Sequence, residues 1–160
     1  EFSQLFDDLD CPDDPTVYVN ITSKVTPEDA PEGGGENWFV LVNAPRNAGQ
    51  DWESETRRVR KTVLDRLTAA LGRAVEEDIA VEDTLDPQKI EERSGSMFGS
   101  LYGISSNSKT AAFLRHPAWT SRYPNLFFVG GSVHPGGGMP LAILSGKIAA
   151  QSVIKHFSLH

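Results

Sequence analysis

The segment that most restricts this chain is its last one, residues 125–154, NLFFVGGSVHPGGGMPLAILSGKIAAQSVI. A short apolar run stops at Gly130. A glycine-rich bend follows, and then a helix whose first turn carries Pro140. A run of this kind bounded by glycine is consistent with a buried strand at about 126–130. The stretch 139–156 has the length and small residues of a helix packed on a sheet. The junction brings bare backbone next to the N–H groups and partial positive charge of a helix start, and glycines let a flat or anionic ligand approach the main chain.

At 160 residues, the chain has length for one substantial core or two small lobes; 39% hydrophobic and 23% charged residues are ordinary for a globular domain. A net charge of −7 removes the basic stripe that nucleic acid requires, so nucleic acid is not an expected partner. Cys11 is the single cysteine, which excludes an internal disulfide framework and a cysteine zinc cluster; a reducing, cytoplasmic setting is the expectation. Residues 139–154 form the longest apolar stretch, interrupted by Ser145, Gly146 and Lys147, and fall short of the roughly 18–20 apolar residues of a membrane span. The N-terminal residues have neither the basic start nor the apolar core of a signal peptide, and the chain is expected to be a fragment of something longer.

Along the chain, residues 16–22 are rich in β-branched and aromatic residues after the turn signal Asp13-Asp14-Pro15, which predicts a strand. A Pro- and Gly-rich connection leads to a second strand at 38–43. It lacks polar alternation, so both of its faces are expected to be covered, and the two strands are expected to pair antiparallel. Asp51 caps a helix over 52–71, with Val59, Val63, Leu67, Ala70 and Leu71 at three-to-four spacing and Gly72 at its end. Its other face carries Arg57, Arg58, Arg60, Lys61 and Arg66, read as a solvated surface in an acidic chain. Residues 78–85 alternate well enough for a third strand, and Asp86-Pro87 starts a short helix to about Arg93. From Ser94 the composition shifts to Gly, Ser and aromatics, as in a loop running beside a ligand or another backbone.

Local motifs of catalysis are absent. The dinucleotide fingerprint G-x-G-x-x-G fails because Leu141 stands where its last glycine belongs, and Gly146-Lys147 lacks the spacing of a P-loop. The histidines show no metal-ligand spacing, so no metal is expected. Ser132 lacks the context of a hydrolase nucleophile. No catalytic acid or base is assigned.

Several separated segments, Asp14 to Gly33, Gly95 to Gly99 with Tyr102-Gly103, and Asn125 to Pro140 with Leu144 to Lys147, together resemble the C-terminal part of the phytoene desaturase family, the FAD-dependent carotenoid desaturases within the amine-oxidase-like flavoproteins. The resemblance runs in order over nearly the whole chain. It implies an α/β class, mixed α+β in a fragment of this length: antiparallel substrate-domain strands in residues 1–93, and the last strand and helix of a Rossmann-like FAD domain in 94–160. The family's N-terminal G-x-G-x-x-G segment is absent from this sequence, so FAD is expected to bind the isolated chain weakly or not at all. The implied activity is desaturation, oxidation or isomerisation of a carotenoid or similar isoprenoid. The implied partners are that apolar polyene, the N-terminal half of the same chain and peripheral contact with a membrane.

The same resemblance assigns roles to residues. Gly130 and Gly131, with Ser132, correspond to the strand end on which the FAD pyrophosphate and ribityl chain lie; Gly138, Met139, Pro140 and Leu141 correspond to the helix start beneath the isoalloxazine. Hydride removal from an allylic carbon leaves negative charge on the flavin, which a helix N-terminus stabilises. Many related flavoproteins have an acidic residue after the strand glycine. Here Gly131 and Ser132 stand instead, removing that anchor for the ribityl hydroxyls. Trp38, Phe39, Met97, Phe98 and Tyr102 are candidates for the wall of an apolar tunnel. A non-catalytic protein-interaction module with a flavoprotein-like core is the alternative; a strand-G-x-G-x-x-G-helix upstream in the reading frame would favour the enzyme.

Overall fold

Asp51 and Gly72 bracket the longest helix of the first half, and their local chemistry explains both ends. The Ser54 N–H donates to Asp51 Oδ1 at 3.1 Å, and Gly72 takes the left-handed conformation (φ 70°) while its N–H donates to Thr68 O. Helix α1 therefore spans Trp52–Leu71. The computed structural model describes residues 1–104 and 115–158. They divide into two units, Glu1–Gln88 and Lys89–His160.

In the first unit, strands β1 (Val17–Ile21) and β2 (Trp38–Val42) pair antiparallel, from Val17 opposite Val42 to Ile21 opposite Trp38. Residues directly opposite share a face. Val17 and Val19 line one open cleft with Arg66, Leu67, Ala69 and Ala70 of α1. The other face carries Tyr18, Asn20, Phe39 and Leu41. The expectation that both faces of β2 are covered is corrected: Phe39 and Leu41 are exposed on one face, and Val40 is exposed on the other.

The basic face of α1 is solvated at Arg57 and Lys61, while Arg58 and Arg66 reach back to the segment before β1. Arg58 donates to Cys11 O (2.7 Å) and pairs with Glu55 (2.7 Å) and Asp13 (3.1 Å), while Arg66 donates to Pro15 O (2.5 Å) and pairs with Asp14. Beneath these contacts Leu5, Cys11, Pro12, Pro15 and Trp52 are buried. Burial first, then the neighbouring Glu55, pushes the Cys11 thiol up to about 12.

The expected strand at 78–85 does not form. Glu76–Asp78 is a single 3₁₀ turn, and residues 79–86 have no regular structure. A strand needs a ladder partner for its backbone groups. Among the described residues none pairs with this segment, which Arg60 holds instead by clasping Glu82 (2.9 Å) and Glu76 (2.7 Å). Val81 is left 90% exposed, so the alternation in this stretch does not mark a buried face.

Helix α2 spans Pro87–Ser94, and Gly95 (φ 67°) ends it with its N–H on Glu91 O. The core of the second unit gathers Ala118, Val133 and Ala149, with Phe128 and Ile148 packed on it. Helix α3 spans Met139–Ser158 and turns its small residues, Ser145 and Ala149, inward. The expected strand at 126–130 is reduced to bridges: Trp119 pairs antiparallel with Phe127 and His116 parallel with Val133, supported by Phe128 N–H to Ala118 O (2.8 Å) and His134 N–H to His116 O (2.9 Å). The segment is extended and apolar. The described residues supply too short a ladder for a continuous strand. Among the described residues the architecture is thus mixed helix and strand with one small antiparallel sheet.

Candidate functional site

Three segments of the second unit meet around the glycine bend: the loop 99–103, Arg115, and residues 130–138. Gly130 (φ 130°) and Gly138 (φ 94°) adopt backbone conformations that side chains rarely take. A Cβ at either would find nothing within 4 Å, so bare main chain faces open space at both. Gly131 is closed instead: its Cβ would stand 3.4 Å from Gly137 Cα and 3.9 Å from the Tyr102 ring. At Gly137 a Cβ would lie 2.4 Å from Tyr102 Cδ1, which is why that position has no side chain. Gly103 passes within 3.2 Å of Ser132 backbone by the same measure. The loop after Ser94 does run beside another backbone.

The bend is fixed from below and from the side. Ser145, fully buried on α3, accepts the Gly130 N–H at 3.2 Å and so ties the bend to the helix. Arg115 Nη1 donates to Tyr102 O at 2.7 Å and to Gly131 O at 3.4 Å. Ser145 is marked in the sequence as a polar break in the apolar stretch, without its role as an acceptor, and nothing local marks Arg115.

At the start of α3, Ala142 N–H already donates to Gly138 O (2.9 Å) and Pro140 has no N–H, which leaves the N–H groups of Met139 and Leu141 to the first turn. That turn has no acidic residue. Its partial positive charge is therefore not offset by its own sequence. Met139 is 82% exposed at the opening. Glycine backbone facing open space thus stands beside a helix start whose N–H groups can receive an anionic or carbonyl group.

The tunnel-wall candidates are divided between the two units. Trp38 and Phe39 are neighbours in β2 and point to opposite faces of the sheet; Phe39 shares its open face with Tyr18 and Leu41. Met97 and Phe98 lie on a 3₁₀ turn, Met97–Gly99, of the second unit, with Phe98 in the left-handed region (φ 59°) and both exposed. Tyr102 packs on the glycine bend itself. Among the described residues no cluster of His, Cys, Asp or Glu is placed to hold a metal ion, and no helix is long and apolar enough to cross a membrane.

Residues 3–154 match the sequence model of the flavin containing amine oxidoreductases. A 1-hydroxycarotenoid 3,4-desaturase of Flavobacterium sp. (strain P99-3) is 50% identical over 153 residues, which cover 96% of this chain and 31% of that protein. A 4,4'-diaponeurosporene oxygenase of Staphylococcus haemolyticus (strain JCSC1435) is 37% identical over 95% of this chain and 30% of its own length. Its namesake from Staphylococcus aureus (strain USA300) is 35% identical over 95% and 31%. The chain spans about a third of the length of these curated relatives.

Proposed function

Since this chain belongs to the flavin containing amine oxidoreductase family, we propose that its glycine bend and the start of α3 form part of an FAD site in an oxidoreductase that desaturates, or otherwise oxidises or isomerises, a carotenoid or similar isoprenoid polyene. The single observation that carries the reading is the open backbone at Gly130 and Gly138 beside a helix start without an acidic residue. Gly130, Gly131 and Ser132 would take the pyrophosphate and ribityl side, and Gly138 to Leu141 the isoalloxazine side. Bound there, FAD supplies the hydride acceptor. The chain's own part is to hold the cofactor against bare backbone and to direct the Met139 and Leu141 N–H groups at its electron-rich edge. The names of the relatives support a carotenoid substrate class.

Residues 1–93 then belong to a substrate-binding domain and 94–160 to the FAD domain. The open sheet face with Tyr18, Phe39 and Leu41 is the apolar floor that a polyene requires, and its exposure supports that role. Such a protein would be cytoplasmic and would meet its substrate at a membrane surface. The adenine half of FAD needs a G-x-G-x-x-G segment that is not among these residues, so the isolated chain binds FAD weakly or not at all. Titration of the chain with FAD, followed by flavin fluorescence, checks this; submicromolar binding would contradict it.

The direct test uses the flavin-loaded protein that carries these residues. Met139 is exposed, and helix starts tolerate acids, so Met139→Glu leaves folding intact while setting a carboxylate at the opening. The expected result is a lower reduction potential of the bound flavin and slower bleaching by polyene. An unchanged potential would place the flavin elsewhere.

A further inference from the structure

The guanidinium of Arg115 touches both walls of the bend. Its Nη1 bonds the Tyr102 and Gly131 carbonyls, on segments 13 and 16 residues away in sequence. It also lies against Gly136, where a Cβ would stand 3.1 Å from Nε and 3.4 Å from Cζ. The arginine's own position is set one residue on, where His116 bridges Val133 and its carbonyl accepts the His134 N–H. One planar cation thus meets the Tyr102 loop and two points of the glycine bend, and the loop it holds carries the ring that covers Gly137. A lysine ammonium, a point donor without a plane, cannot bond and pack in this way at once.

We propose that Arg115 is a positioning residue of the flavin site: it holds the Tyr102 loop on the glycine bend in the arrangement that leaves Gly130 and Gly138 open to the cofactor. This rests on the reading of the bend as a flavin site. Without the guanidinium, the Tyr102 and Gly131 carbonyls lose a charge-assisted donor and Gly136 loses its packing partner, so the loop and the bend separate. The cofactor is then offered a bend of changing shape.

The first arm of the test needs no flavin. Amide hydrogen exchange is measured on the flavin-free full-length protein that carries these residues, with Arg115, Arg115→Lys and Arg115→Ala. Exchange in residues 130–137 is expected to rise about tenfold or more in Arg115→Ala, less in Arg115→Lys, with α1 amides unchanged as the sign that the effect is local. The second arm measures flavin content and visible spectrum of the flavin-loaded protein carrying the same substitutions. Flavin content is expected to fall several-fold in Arg115→Ala and to recover with low millimolar methylguanidinium but not methylammonium. Unchanged exchange at the bend overturns the proposal, as does faster exchange with unaltered flavin content and spectrum. Should Arg115→Ala fail to fold, Arg115→Lys decides: wild-type exchange and flavin content in that variant overturn the proposal. Met139→Glu in parallel separates the two readings. If it leaves the potential unmoved, the flavin assignment fails, while the first arm still reports whether Arg115 holds the bend.

Discussion

Helices α1 and α3 have the same length, 20 residues each, and opposite characters. Helix α1 satisfies its own ends: Asp51 caps it, Glu53 and Glu55 stand in its first turn, and its arginines are occupied by carboxylates and carbonyls of the same unit. Helix α3 begins with Met-Pro-Leu after a glycine, has no acid in its first turn, and leaves Met139, Leu141, Ile143 and Leu144 exposed. A structural helix neutralises its dipole and pairs its charges. One that begins beside open glycine backbone, with its positive end unopposed, leaves that end available to an anionic or carbonyl group, as the proposed flavin site requires. Changes around α1 should therefore read out in stability, and changes at the start of α3 in the flavin.

The largest expected effect tests how closed the first unit is. Cys11 lies under the Arg58 contacts with its thiol pushed up to about 12 from an ordinary 9.0. The thiolate fraction near neutral pH, and with it alkylation, should be about 10³ lower than for a free cysteine. The linkage sign follows: the unfolded thiol ionises from about 9 and the folded one does not, so this group's stabilising contribution is complete below about 9 and is lost as pH rises toward about 12. Rapid labelling of Cys11 in the native chain would show that this region opens as readily as the glycine bend is proposed to be exposed.

Next comes Gly131→Val. A Cβ here already stands 3.4 Å from Gly137 Cα, so the branched side chain would press the bend apart from within and reach the proposed cofactor site through that distortion. Flavin content in the loaded protein should fall about tenfold or more, with a stability loss of about 1–3 kcal/mol from overpacking. Full occupancy with normal turnover would remove the bend from the flavin site.

These contrasts were unevenly legible in the sequence. Helix α1 could be read because its signals are local: a cap three residues from its donor, a stripe at helical spacing and a terminal glycine. The pairing of β1 with β2 was equally accessible, two apolar runs joined by a loop that admits no other structure. The segments 78–85 and 126–130 have the composition of strands. A ladder, however, is a property of partners distant in sequence, and the residues described here provide none for the first and isolated bridges for the second. Within the candidate site, the glycines and Pro140 announce themselves because backbone conformation selects those residue types. Arg115 and Ser145 do not, since what distinguishes them is a contact 13 to 16 residues away.

Pro140→Gly sharpens the contrast at the start of α3. The proline's fixed φ orders the first turn. Glycine there should loosen it and misdirect the Met139 and Leu141 N–H groups, lowering the flavin potential by tens of millivolts, where about 30 mV corresponds to 1.4 kcal/mol for a two-electron couple. Potentials of the two proteins, measured in one buffer at equal flavin loading, decide it. A rise, or no change, would mean that α3 does not direct its N-terminus at the ring.

Asp51→Ala is the smallest and the complementary test. It removes the acceptor of the Ser54 N–H and one negative charge beside the first turn of α1, and alanine offers no replacement. Loss of an N-cap of this kind costs about 1 kcal/mol, which in a chain of this size lowers Tm by about 2–4 °C. Denaturant unfolding should show the midpoint falling with the slope unchanged, because the same surface is exposed on unfolding. The flavin potential of the loaded protein should stay where it was, since α1 spends its electrostatics on its own unit. A potential shift as large as that expected for Pro140→Gly would show that the two helix starts act on the same site. The division between a self-neutralised helix and a presenting one would then fail, however well each stability value agreed.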